Sequence, residues 1–236
     1  MTELLPLWND TPTRQIVLDF VNAVTTPGSL DFVPPEERIA VFDNDGTLWC
    51  EKPMYIQFDY FLRSLAEQAQ NDASLREQQP WQAAWNKDFG WLGGAITKHY
   101  QGDDSDFRIL IRGILTLSKD QPVEKIEAAA KHFVEQEHHP LMDVPYQECI
   151  YQPMLELLHY LEINGFINYI VSGGGRDFMR GFAHDLYGIP RERIIGSTVA
   201  YRYMEDERGI TIVQQPELDV IDDGPGKVIQ IWNVIG

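Results

Sequence analysis

The chain has 236 residues, of which 44% are hydrophobic and 23% charged. This length and composition are typical of one large globular domain or of a core with a smaller inserted domain, so a disordered chain is not the default expectation. Its formal net charge of −17 makes nucleic acids and anionic membrane surfaces poor partners, because an acidic surface repels phosphate groups.

The compartment is predicted from the N-terminus, the apolar runs and the cysteines. Residues 1–12 lack the basic and apolar regions of a signal peptide, and no run approaches the roughly 20 apolar residues of a membrane span. Cys50 and Cys149 form no disulfide framework and suit a reducing compartment. We therefore expect a cytoplasmic protein.

Two elements are predicted before residue 43. The first is a helix from Thr13 to about Val24, because apolar residues recur at helical spacing after a capping Thr11 and a first-turn Pro12. The second is a short strand over Arg38–Phe42, which is apolar on both faces. Such a strand is typical of a parallel sheet covered by helices.

Helical patterns dominate from about Trp49 to Glu148, where strand patterns are scarce. The predicted helices are Tyr55–Asn71, Trp81–Trp85, Asp104–Leu117 and Val123–Glu137, separated by breakers such as Pro80, Gly93-Gly94, Gly102, Pro122 and Pro140. This pattern predicts a helical cap over 49–145, inserted into a core formed by 1–48 and 146–236.

Strands and helices alternate again after Pro145. The predicted elements are a helix over Pro153–Glu162, a strand over Phe166–Val171, a helix over Arg176–Tyr187, and a hairpin of Ile194–Tyr203 with Ile210–Gln214. Together with the first strand, this alternation predicts an α/β fold with a mostly parallel sheet.

Two carboxylates follow the first predicted strand in the segment Asp43-Asn44-Asp45-Gly46-Thr47. Open α/β sheets bind ligands at the carboxyl ends of their strands. A carboxylate pair there can divide nucleophilic attack and proton transfer between its members, or it can hold a hard cation. The alternative is an ordinary acidic turn, in which Asp, Asn and Gly are common.

Two further segments suit an anion. Ser172-Gly173-Gly174-Gly175-Arg176 follows a predicted strand, and its glycines allow backbone N–H groups to approach a phosphoryl oxygen that Ser172 can also bind. Lys227 follows the tight turn Asp222-Asp223-Gly224-Pro225-Gly226 and can pair with a nucleophilic carboxylate and a transferring phosphoryl group. Taken singly, the Ser172 segment is equally compatible with a plain Gly-rich turn, and the Lys227 segment alone favours a plain turn.

In this order, the three segments resemble the first three motifs of haloacid dehalogenase superfamily hydrolases, from about Ile39 to the C-terminus. The resemblance implies a Rossmann-like, mostly parallel sheet. The helical segment after the first motif resembles the cap of the phosphoserine-phosphatase-like branch. Asp45 favours phosphoester hydrolysis, because family members that cleave carbon–halogen bonds usually lack this residue.

The resemblance also implies the chemistry of three residues. Asp43 attacks phosphorus and forms an aspartyl phosphate, while Asp45 protonates the leaving alcohol and later deprotonates the attacking water. Lys227 neutralises the carboxylate and phosphoryl charge. Mg²⁺ binds the Asp43 carboxylate and the Asp45 carbonyl oxygen.

The remaining implied residues bind the substrate. Ser172 and the Gly173 amide hold phosphoryl oxygens, together with Gly46, Thr47 or nearby backbone. Arg176 is placed to bind a phosphate or carboxylate. Glu51 lies one residue before the position at which phosphoserine phosphatases bind the substrate amine, so the pattern does not specify phosphoserine.

One departure from the family concerns the residues after Lys227. The family has a further strand and an acidic loop there, whereas Val228–Gly236 contains no acidic residue. We therefore expect a C-terminally incomplete core that binds the metal more weakly. Asp222 or Asp223 could supply a replacement ligand, but both precede the lysine, whereas the family's acidic loop follows it. We also expect the Asp43 strand to be an exposed edge that favours self-association.

The resulting function hypothesis is a Mg²⁺-dependent phosphomonoester hydrolase that acts on a small phosphorylated metabolite through an aspartyl phosphate. The alternative is a truncated, catalytically impaired protein with the same fold and a binding or interaction role. Metal-dependent hydrolysis of a generic phosphate ester discriminates between them.

Overall fold

The computed structural model describes residues 4–207 and 209–236. Within these residues the chain forms ten α-helices and four β-strands. In chain order they are α1 Pro12–Thr25, β1 Ile39–Phe42, α2 Ile56–Asn71, α3 Trp81–Asn86, α4 Phe89–Tyr100, α5 Ser105–Leu117, α6 Val123–Gln136, α7 Gln152–Ile163, β2 Ile167–Gly175, α8 Arg176–Arg180, α9 Ala183–Tyr187, β3 Ile194–Asp206, β4 Gly209–Val220 and α10 Pro225–Val234.

The four strands form one sheet in the order β1-β2-β3-β4. The β1–β2 and β2–β3 pairs are parallel, and the β3–β4 pair is an antiparallel hairpin. The predicted α/β fold with a mostly parallel sheet is therefore confirmed. Because Phe42 pairs with Ile170, the carboxyl ends of β1 and β2 lie side by side. Residues that follow these two strands consequently meet at one edge of the sheet.

Two apolar clusters hold this sheet in place. One joins Ile170 of β2 to buried residues of α6, α8 and α9, and in it Trp49 stacks on Phe182 with ring centroids 4.7 Å apart. The other joins α1 to α7 through residues such as Val21 and Leu161. The segment that carries the two aspartates is thereby anchored, because it runs from β1 directly into the buried Trp49.

The segment between β1 and α7 contains helices α2 to α6 and, among its described residues, no strand. A third apolar cluster joins α2, α3, α4 and α5 through Leu62, Ala83, Leu92 and Leu110. The boundaries 49 and 145 of the inserted cap stay a prediction. We refer to α2–α6 as the helical segment.

The prediction that Gly93-Gly94 breaks a helix is wrong, since both glycines lie inside α4. The Asp88 side chain caps this helix by accepting a hydrogen bond from the Trp91 amide at 3.0 Å. Leu92 and Ala95 are buried in the third cluster. Tertiary packing and the cap thus outweigh the cost of placing glycine in a helix, which is about 1 kcal/mol per residue relative to alanine.

Two other predicted elements differ from the structure. The helix predicted over Arg176–Tyr187 is divided into α8 and α9 at Gly181, where an added Cβ would lie 2.3 Å from the Glu127 carbonyl oxygen, so the chain is pressed against α6. The strand predicted to end at Val171 continues to Gly175, which pairs with Ser197 after a register irregularity. The glycines of the second motif therefore belong to β2.

Both β1 and α10 expose apolar side chains. β1 is at one end of the strand order, and its Ile39 and Val41 side chains are exposed. Val228 and Trp232 of α10 are likewise exposed. Self-association through the β1 edge stays a prediction. None of the helices in the described ranges has the length and apolar character needed to cross a membrane.

Candidate active site

Asp43 and Lys227 form an ion pair at the carboxyl end of β1. The Lys227 Nζ atom lies 2.8 Å from Asp43 Oδ2, and the other carboxylate oxygen accepts a hydrogen bond from the Asn44 amide at 2.8 Å. Lys227 reaches this position because Gly224 turns the chain at a φ of 49° immediately before α10. The Asp43 side chain remains 43% exposed, so a substrate can approach its carboxylate.

Asp45 is held by the tryptophan four residues later. The Trp49 indole Nε1 donates a hydrogen bond to Asp45 Oδ1 at 2.8 Å. Burial raises the pKa of Asp45 to about 6, with smaller raising contributions from the Asp43 and Glu51 carboxylates and an opposing one from the Trp49 hydrogen bond. A carboxyl group with this pKa can carry a proton close to neutral pH, as a general acid must.

Ser172 and the three glycines of β2 form the next part of the site. The buried Ser172 Oγ accepts a hydrogen bond from the Gly174 amide at 3.2 Å. The Gly175 amide donates to Gln57 Oε1 of α2 at 2.7 Å. An added Cβ at Gly175 would lie 2.7 Å from Gln57 Nε2, so glycine allows α2 to approach the strand end closely. Gln57 was not predicted as a site residue.

Asp222 is a buried carboxylate beside this site. It lies two residues after the end of β4, and its relative exposure is 0%. The pKa of Asp222 is raised to about 6, mainly by burial and to a smaller extent by the Asp43 and Asp223 carboxylates, while Lys227 opposes the rise. Its amide is fixed by a 3.0 Å hydrogen bond to Ser197 Oγ.

The buried charge of Asp222 predicts a pH-dependent gain in stability for Asp222→Asn. Because the pKa rises from an ordinary 3.8 to about 6 on folding, the folded state favours the neutral acid, and the free energy of unfolding falls as pH rises through about 6. We expect Asp222→Asn to be more stable than the original chain by about 1–3 kcal/mol at pH 8, with the gain disappearing near pH 4. Denaturant unfolding at both pH values measures it.

The exposed neighbour provides the matched control for this measurement. Asp223→Asn removes the same charge from the adjacent position, where the side chain is solvated. It should change the free energy of unfolding by less than about 0.5 kcal/mol at either pH. An equal gain for both variants, or a loss of stability for Asp222→Asn at pH 8, would show that the buried charge is not destabilising.

Arg176 is held by a polar cluster on the far side of the strand end. Its guanidinium Nη2 donates to the Tyr201 hydroxyl at 2.9 Å, and that hydroxyl donates to Asp177 Oδ2 at 2.7 Å. Gln214 Nε2 donates to the same carboxylate oxygen at 2.8 Å. Burial and the Asp177 hydrogen bond raise the pKa of Tyr201 to about 12. Arg176 is therefore already engaged with protein groups.

A cavity of about 480 Å³ connects these groups. Of the residues predicted from the sequence, those that line it are Asp43, Asp45, Ser172, Gly173, Arg176 and Lys227. Gly46 and Thr47 are not part of the lining: Gly46, at a φ of 72°, forms a turn in which its amide donates to the Trp49 carbonyl at 2.9 Å. The structure thus brings six of the eight predicted residues to one cavity.

The available metal ligands are few. In residues 4–207 and 209–236, no group of three or more His, Cys, Asp or Glu side chains is arranged to hold a metal ion. Mg²⁺ is commonly bound by only one or two carboxylates, with water and substrate phosphate as the other ligands. The half-exposed Asp43 carboxylate at the mouth of the site, with Asp45 two residues on, fits a magnesium site of that kind.

A comparison with protein families identifies the chain. A model of the haloacid dehalogenase-like hydrolases matches residues 40–220. The chain belongs to this family. The resemblance inferred from the three motifs is therefore confirmed for this hydrolase, and the matched range includes Asp43, Asp45 and Ser172. No curated protein matches its sequence.

Several solved structures are similar to this haloacid dehalogenase-like hydrolase to different degrees. One is a conserved, functionally unknown protein from Anaerococcus prevotii DSM 20548, with a TM-score of 0.55 and 17% identity over 95% of this chain and 76% of that chain. Another, a protein with unknown function from Bordetella pertussis Tohama I, has a TM-score of 0.53 and 14% identity, over 82% of this chain and 72% of that chain. A phosphoserine phosphohydrolase-like protein from Francisella tularensis subsp. tularensis SCHU S4 has a TM-score of 0.40 and 18% identity, over 84% of this chain and 74% of that chain.

Proposed function

We propose that this haloacid dehalogenase-like hydrolase is a Mg²⁺-dependent phosphomonoesterase that acts through an aspartyl phosphate. The observation that carries the proposal is the 2.8 Å pair between Lys227 Nζ and Asp43 Oδ2. The lysine orients the Asp43 carboxylate, and the same ammonium group can neutralise a phosphoryl oxygen beside it. Asp45, Ser172 and Gly173 line the same cavity.

In the first step, an Asp43 oxygen attacks phosphorus and the bond from phosphorus to the ester oxygen breaks. Asp45 donates its proton to the departing oxygen, which leaves as the alcohol. Its pKa of about 6 makes this donation feasible near neutral pH. The Ser172 side chain and the Gly173 amide hold the phosphoryl oxygens, and Lys227 balances their charge.

In the second step, the Asp45 carboxylate takes a proton from water, and the water oxygen attacks the phosphorus of the aspartyl phosphate. The bond from phosphorus to Asp43 breaks, which releases inorganic phosphate and restores the carboxylate. The Asp43 carboxylate and the Asp45 carbonyl oxygen would hold Mg²⁺, which supplies positive charge to the phosphoryl oxygens.

The test is a Mg²⁺ titration of p-nitrophenyl phosphate hydrolysis against a baseline in EDTA, combined with acid quenching and peptide mass spectrometry. We expect a saturable metal-dependent rate and a peptide that contains Asp43 and has gained one phosphoryl group. The absence of any rate above the EDTA baseline at high Mg²⁺ would overturn the proposal and favour a catalytically impaired binding protein.

A further inference from the structure

The cavity extends well beyond the groups assigned to phosphate chemistry. From Asp43 and Lys227 it continues to the inner faces of α2, α4 and α5. The side chains at that end are mostly apolar, and they include Phe58, Phe61, Ile96, Ile111, Ile114 and Leu115. Its volume of about 480 Å³ lies within the range of small-molecule sites, so the apolar end has room for part of a substrate.

The basic side chains that line the cavity are already paired. Lys227 contacts Asp43 at 2.8 Å, and Arg176 donates to the Tyr201 hydroxyl at 2.9 Å beside Asp177. His99 Nδ1 lies 2.7 Å from Asp104 Oδ1. Among the described lining residues there is consequently no unpaired cation to bind a substrate carboxylate.

The acidic side chains of the same cavity outnumber these basic ones. Glu51, Asp177 and Asp223 line it in addition to the two catalytic aspartates. A second anionic group on the substrate would therefore be repelled, and without a hydrogen-bonded counter-ion its desolvation would be unfavourable. A neutral apolar group avoids this repulsion and gains from burial against the helical segment.

We propose that the cavity walls of α2, α4 and α5 select phosphate monoesters whose alcohol part is an uncharged apolar chain or ring. The inference rests on the proposed phosphomonoesterase function and names its substrate class. Amino-acid phosphates and phosphorylated carboxylic acids are poor substrates on this basis. The phosphate group binds beside Lys227, and the apolar group of the ester lies against the helical segment.

A series of n-alkyl phosphates from ethyl to octyl tests the substrate class. Lengthening the alkyl chain leaves the acidity of the departing alcohol nearly constant, so a change in kcat/KM reports burial of the chain. We expect kcat/KM to rise about fourfold for each added methylene until the chain fills the cavity, because burying one methylene contributes about 0.8 kcal/mol. A flat or falling series, or O-phosphoserine hydrolysed faster than butyl phosphate, would overturn the inference.

A matched pair of variants in α5 places the effect at the cavity wall. Ile111 lines the cavity, whereas Ile109 on the same helix is outside it and 40% exposed. Ile111→Ser should lower the octyl-to-ethyl ratio of kcat/KM by roughly tenfold, and Ile109→Ser should leave that ratio unchanged. An equal effect of the two variants would contradict the assignment of this wall.

Binding of octan-1-ol separates a failure of this inference from a failure of the proposed function. The alcohol contains no phosphate, so its calorimetric affinity for the full chain depends on the apolar end alone. If no ester is hydrolysed but the alcohol binds, and binds more weakly to Ile111→Ser, the phosphomonoesterase proposal is wrong and the apolar site stands. If esters are hydrolysed without dependence on chain length and the alcohol does not bind, only the substrate class is wrong.

Discussion

Asp43→Asn is expected to lower kcat for p-nitrophenyl phosphate by at least about 10³-fold at saturating Mg²⁺. The amide has nearly the shape of the carboxylate, but it is a poor nucleophile towards phosphorus. It also removes the ionic partner that lies 2.8 Å from Lys227 Nζ. Steady-state rates of purified protein measure the loss, and the phosphorylated peptide should disappear after acid quenching.

Two controls accompany Asp43→Asn: its own free energy of unfolding, and the activity of a variant at an exposed aspartate. Because the Asp43 side chain is 43% exposed, its replacement should change the free energy of unfolding by less than about 1 kcal/mol. Asp10→Asn, at a fully exposed position before α1, should retain the original kcat. A rate for Asp43→Asn within tenfold of the original would exclude Asp43 as the nucleophile.

Asp45→Asn is expected to reduce kcat/KM by about 10²–10⁴-fold for alkyl phosphates and by much less for p-nitrophenyl phosphate. An alkoxide needs a proton in order to depart, whereas p-nitrophenolate is stable as an anion. The value of kcat/KM reports the steps up to the first irreversible one, so it isolates proton donation from the later attack of water. Measuring both esters with both proteins gives the ratio of the two losses.

Trp49→Phe complements this variant, because it removes the 2.8 Å indole hydrogen bond to Asp45 and leaves the carboxyl group in place. It should lower kcat/KM for alkyl esters by less than Asp45→Asn does. Thermal unfolding of Trp49→Phe is the control for stability, because Trp49 is buried against Phe182. Equal losses for the two esters in Asp45→Asn would contradict the role of general acid.

The sequence allowed the position of the site to be predicted, because its main signals are local. Asp43 follows β1 directly and Ser172 lies near the carboxyl end of β2, and parallel strands end at the same edge of a sheet. The six predicted residues that line one cavity could therefore be chosen without coordinates. Gly46 and Thr47 belong to the same motif, but a motif does not show which of its residues face the ligand.

The features that could not be predicted depend on contacts between distant segments. The burial of Asp222 follows from the packing of the β4–α10 turn, and the engagement of Arg176 follows from the hairpin that brings Tyr201 to it. Helix α4 forms through Gly93-Gly94 because of tertiary packing. The apolar end of the cavity likewise requires α2, α4 and α5 to meet, which no single periodicity indicates.

The pairing of β1 has a consequence for the order in which the protein folds. β3 and β4 are neighbours along the chain, whereas β1 pairs, within the described residues, with β2 alone, and the entire helical segment lies between β1 and β2 in sequence. Closing so long a loop carries a large entropic cost, so we expect the β1–β2 ladder to form late. Asp43, the proposed nucleophile, would then reach its place at the end of folding, and we expect partly folded chains to lack hydrolytic activity.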